Sequence, residues 1–124
     1  MDVPATAPEG ACGPGDGSLC LLGGTFRVEV EWTDPGGATG RGHAVPLTDA
    51  AGAFWFFGPK NLELTVKALD GRSVNGRYWF FYGGLSSVEY TITVTDTRTG
   101  ERRTYRNEQG ELCGQGDTAA FVGG

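Results

Sequence analysis

The sequence predicts an all-β chain folded as a two-sheet antiparallel β-sandwich of immunoglobulin-like general architecture, with a closed β-barrel as the alternative. Three observations point there. Apolar and polar residues alternate over several segments, most clearly from Val88 to Asp96, which is the period of a half-buried strand. No stretch of ten or more residues carries a helical apolar stripe. Glycine supplies 22 of the 124 residues without Gly-X-Y periodicity, which excludes collagen and fits turns that need positive φ.

The elements follow in order. Met1 to Ser18 is rich in Pro, Gly and Ala without apolar periodicity and reads as an irregular arm; residues 19–124 form the sandwich domain. Thr25 to Trp32 places Phe26, Val28, Val30 and Trp32 on one face and Arg27, Glu29 and Glu31 on the other. Trp32 is therefore expected in the core. Asp34-Pro35-Gly36-Gly37 turns the chain, and Thr39 to Val45 returns as the second arm of a hairpin. Ala53 to Phe57 is a short buried strand stopped by Gly58-Pro59, and Asn61 to Leu69 alternates again. Asp70-Gly71 and Asn75-Gly76 frame a loop before the aromatic strand Arg77 to Tyr82. Val88 to Asp96 and Glu101 to Arg106 make a hairpin around Thr97-Arg98-Thr99-Gly100. Ala119 to Val122 closes an edge.

The length fits one domain, since domains run roughly 100–200 residues. Ten basic residues against 15 acidic ones give a net charge of -5, which repels a phosphate backbone and argues against nucleic acid. The longest apolar runs reach five residues, far short of the roughly 20 that cross a bilayer. The start at Met1-Asp2-Val3-Pro4 has no basic and apolar leader pattern, so the chain is either cytosolic or a signal has been removed. Cysteine usage favours the second. Cys12 and Cys20 enclose the flexible Gly-Pro-Gly-Asp-Gly-Ser-Leu, which lets two sulfurs meet without an ordered scaffold. Three pairings are open, and three reduced thiols are the alternative. In the favoured pairing Cys113 is left free or engaged in trans, and the compartment is oxidising, extracellular or periplasmic. One histidine and no CxxC leave too few ligands for structural zinc.

The ordered strings Phe26-Arg27-Val28-Glu29-Val30-Glu31-Trp32, Ala44-Val45-Pro46-Leu47-Thr48, Phe54-Trp55-Phe56-Phe57, Val74-Asn75-Gly76 and Trp79-Phe80-Phe81-Tyr82-Gly83 resemble a β-rich module recurring in secreted bacterial proteins. Val88 to Thr97 and Asp117-Thr118-Ala119-Ala120-Phe121 continue the likeness over nearly the whole chain. The resemblance implies export, a disulfide near the start and β structure, and it supplies no catalytic residue. Cys113 departs from the pattern.

Candidates for chemistry are few. His43, the only histidine, reads as an exposed strand end. Glu29 and Glu31 share a strand face, a spacing a glycosidase pair can use, but nothing in the sequence sets one carboxyl apart from the other. Asp34, Asp49, Asp70, Asp96 and Asp117 sit at turns without forming a calcium loop and read as turn-formers. No catalytic residue, metal site or cofactor is expected.

The anomaly is aromatic. Successive strand residues face opposite ways, so Phe54 and Phe56 oppose Trp55 and Phe57, while Tyr78, Phe80 and Tyr82 oppose Trp79 and Phe81. Two explanations follow. Leu19, Leu21, Leu22 and Phe121 fold over the second face as a cover, or Trp55, Trp79, Phe57 and Phe81 are candidate ligand-binding residues, with Trp55 and Trp79 forming a flat pair on neighbouring strands. The expected function is a non-catalytic extracellular binding or structural module, with a neutral glycan or a protein partner as ligand. A small secreted hydrolase is the alternative.

Overall fold

A computed structural model describes residues 12–110 and 114–123. Among the described residues ten strands appear: β1 (Leu19–Leu21), β2 (Phe26–Thr33), β3 (Thr39–Arg41), β4 (His43–Pro46), β5 (Ala51–Trp55), β6 (Leu62–Gly71), β7 (Arg77–Gly84), β8 (Glu89–Asp96), β9 (Arg102–Asn107) and β10 (Gly114–Val122). One helical turn, α1 (Arg72–Asn75), lies between β6 and β7. The first sheet runs β1-β2-β8-β9 with β3 also on β2, and the second runs β10-β7-β6-β5-β4. All pairings are antiparallel. The sheets do not close on each other, so the fold is the expected sandwich and not a barrel.

Period-2 patterning builds the core. Phe26, Val28 and Val30 of β2 and Tyr90, Ile92 and Val94 of β8 face Phe54, Leu64, Val66, Phe80 and Tyr82 of the second sheet, all buried. Phe26 sits against Tyr78 and Phe121, each with its ring centre 5.0 Å away.

Three expectations change. Thr39 to Val45 is not one hairpin arm. The chain leaves β2 after Arg41, and beyond Gly42, whose N–H donates to the Val30 carbonyl at 2.8 Å, it continues as β4 on the edge of the other sheet. This crossing closes one side of the sandwich. Leu19, Leu21 and Phe121 are no outer cover either: Leu19 and Leu21 are strand residues of the central core, Phe121 is buried there with them, and Leu22 packs against it. Their backbones pair with β2 and β7, which carries the side chains inward. Trp32 follows the inward parity but lies at the end of β2, so it is only partly buried and packs on the core margin. Its indole occupies the space above Gly40, where a Cβ would lie 2.4 Å from the ring.

Cys12 and Cys20 are joined in a disulfide; Cys113 lies outside the described residues, as does the arm up to residue 11. The closed loop is small, and loop entropy assigns the bond roughly 2–3 kcal/mol. Reduction is therefore expected to lower the unfolding free energy by that amount, read as a lower urea midpoint at unchanged slope. An unmoved midpoint would mean that non-covalent contacts alone hold this loop in place.

At one end of the sandwich, two Asp-x-Arg pairs converge. Arg72 donates to Asp70 through Nε (2.8 Å) and Nη2 (2.7 Å), and Arg98 donates to Asp96 in the same way (3.0 and 2.7 Å). Both guanidinium carbons lie 4.9 Å from the centre of the Tyr78 ring. One pair comes from each sheet, so this ring ties the layers together. Opposite the crossing, β9 and β10 are edge strands among the described residues, one in each sheet. The Tyr105 hydroxyl of β9 donates to Asp117 Oδ2 of β10 at 2.7 Å. Burial first, and then this bond, push the Tyr105 phenol well above its ordinary range.

Candidate functional site

The candidate site is the outer face of the second sheet. On β7 the inward residues are Tyr78, Phe80 and Tyr82, which leaves Arg77, Trp79, Phe81 and Gly83 outward. On β6, Thr65, Lys67 and Leu69 point the same way, because Val66 and Ala68 are core. Register then places Leu69 beside Trp79 and Lys67 beside Phe81.

Each ring has a seat. Trp79 lies over Gly71, where a Cβ would be 2.2 Å from the indole, and Phe81 lies over Gly116 of β10, where it would be 2.6 Å from the ring. No other residue leaves that room. Trp79 Nε1 donates to Asn75 Oδ1 at 3.0 Å. Asn75 Nδ2 in turn donates to the Thr118 carbonyl at 2.8 Å, and its Oδ1 also accepts the Arg77 N–H. The half-buried indole is thus fixed with its one donor occupied and one face on Gly71, leaving the other π face as its remaining recognition surface. Trp79 and Phe81 stand edge to face, 6.5 Å between centres at 80°.

The four aromatic candidates do not meet. Trp55 pairs with Leu62 and Trp79 with Leu69, seven residues apart along β6, or about 23 Å. β5 and β7 are not neighbours, since β6 runs between them, so the flat Trp55–Trp79 pair does not form. Trp55 instead stacks on His43, 3.8 Å between centres at 9°. Phe57 lies past the end of β5, 53% exposed and edge-on to Trp32 at 4.8 Å. Only Trp79 and Phe81 share a surface.

His43 is more than an exposed strand end. Its Nδ1 contacts Asp16 Oδ2 at 2.6 Å, and the Asp16 carbonyl accepts the Ala44 N–H. The disulfide loop is thereby fastened to β4, a contact that sequence separation concealed. Glu29 and Glu31 lie on the outer face of the first sheet, beside a cleft of about 300 Å³ lined also by Arg41, Thr93 and Arg102. Arg41 (2.9 Å) and Arg27 (3.5 Å) neutralise Glu29.

All five turn aspartates accept a backbone N–H: Asp34 from Ala38, Asp49 from Gly23, Asp70 from Arg72, Asp96 from Arg98 and Asp117 from Ala119. The Arg72 side chain, followed by its N–H, draws the Asp70 carboxyl down to about 2. Thr97 Oγ1 donates to the Gly24 and Thr25 carbonyls. Asn75, Asp96, Thr97 and Asp117 therefore act as fasteners between elements. Among the described residues no helix is long and apolar enough to cross a membrane. No protein-family model, curated protein or solved structure matches the chain.

Proposed function

We propose that the chain is a non-catalytic extracellular binding module that holds a glycan on the outer face of its second sheet. One observation carries the reading: Trp79 and Phe81 point away from the core on adjacent outward positions of β7, while Leu19, Leu21 and Phe121 are used inside. A fixed indole face suits the C–H face of a sugar ring, because stacking needs area and little hydrogen bonding. The disulfide supports an oxidising compartment, and with it export. The hydrolase alternative has less behind it, since Glu29 is held by arginines and His43 by Asp16 and Trp55.

Retention on insoluble cellulose, chitin and xylan tests this. Trp79→Ala is expected to weaken retention about tenfold, the size of one aromatic stacking contact, with the fold kept at a loss of about 1 kcal/mol for the hydrogen bond to Asn75. Trp55→Ala, some distance along the sheet, is expected to leave retention intact. A large drop in melting temperature for Trp79→Ala, together with no retention of the parent protein on any polysaccharide, would leave a purely structural module.

A further inference from the structure

The charges around the two rings differ in sign from the molecule as a whole. The outward charged residues of β5, β6 and β7 are Glu63, Lys67 and Arg77. Glu63 is only 5% exposed and accepts from Asn61 Nδ2 at 2.8 Å, so it presents little to solvent. Lys67 is exposed beside Phe81, and among the described residues its ammonium has no hydrogen-bond or ion-pair partner. Arg77 stands two residues before Trp79 on the same face. The surface is thus a strip of two rings between two cations on a protein of net charge -5.

Resting on the glycan reading above, we propose that the ligand is an acidic polysaccharide whose uronic carboxylates meet Lys67 and Arg77 while its rings stack on Trp79 and Phe81. Net charge governs approach from a distance, but salt screens it beyond roughly 8 Å at physiological ionic strength. At contact range the ligand meets the strip, where an unpaired ammonium on a partly apolar face favours a carboxylate. Neutral glycans gain only the stacking. This reverses the expectation of a neutral ligand, which rested on total charge.

Affinity electrophoresis through gels containing polygalacturonate or alginate, each compared with its fully esterified, uncharged form, decides the matter. The parent protein is expected to be retarded at least about fivefold more by an acidic polymer than by its ester, with the difference shrinking as salt is raised. Lys67→Gln, an exposed change checked by its melting curve, is expected to abolish most of that difference, and Lys67→Glu to reverse it. Equal retardation by acid and ester overturns the inference and leaves the glycan reading standing. So does no retardation by either form alongside retention on the neutral polysaccharides above. A preference unchanged in Lys67→Gln overturns it as well. No retention on any polysaccharide removes the inference and the glycan reading together.

Discussion

Phe26→Ala is expected to cost about 3–5 kcal/mol, the range for deleting a buried phenylalanine. Phe26 is 1% exposed and stands between Tyr78 of β7 and Phe121 of β10. Its backbone pairs with Leu21 on one side and Asp96 on the other. The cavity would open where five strands from both sheets meet, and rings held in place by backbone pairing collapse poorly into it. A domain of this size is stable by about 5–15 kcal/mol, so the melting temperature is expected to fall by roughly 10–20 °C. A fall below about 5 °C would show that the site repacks.

Asp96→Asn is expected to cost about 2–4 kcal/mol, and the cost should depend on pH. Asp96 is 1% exposed and carries the bidentate Arg98 pair, while Arg98 also donates to the Val122 carbonyl. Asparagine keeps an acceptor for the Arg98 N–H but leaves the guanidinium without its counter-ion, and breaking a buried pair costs more than the pair contributes. Burial alone would raise the Asp96 carboxyl; the side-chain and backbone hydrogen bonds from Arg98 outweigh it and hold the group below its ordinary value. A depressed carboxyl stabilises the fold above its unfolded-state pKa, near 4, and that contribution disappears as pH falls through the folded-state value. Urea unfolding at pH 7 and pH 3 checks this: the gap between parent and variant should narrow at pH 3. An equal gap at both would mean that packing, not charge, sets the cost.

Alternation made β2 and β8 readable, because each buries one face and wets the other. It could not show that Thr39 to Val45 changes sheets at Gly42, since the residues around that glycine have no face preference and the crossing is set by which strand each half meets. Leu19 and Leu21 read as a cover over the second aromatic face instead of core, because three residues carry no period to give their side. Trp32 had inward parity, but depth depends on its place at the strand end, which parity does not encode. At the candidate site, period 2 pointed Trp79 and Phe81 outward. Lys67 looked like an ordinary polar position until register set it beside Phe81. The Asp16–His43 contact joins residues 27 apart and leaves no local pattern.

The asymmetry between the two sides of the sandwich bears on how the protein behaves when crowded. An open strand edge offers unpaired N–H and C=O groups to any other chain and can seed fibrils. The crossing at Gly42, together with the Asp16 carbonyl on the Ala44 N–H, occupies the β4 edge. The opposite side relies on charged side chains and irregularity. β9 carries Arg102, Arg103 and Arg106, with Arg103 paired to Glu101 and Arg106 to Glu89 and Glu108, so a second copy laid against it would have to desolvate a row of charged side chains. β10 slips register between Asp117 and Phe121, which breaks the straight ladder a template needs. A molecule so arranged offers a second copy little straight, uncharged edge along which its sheets could be extended.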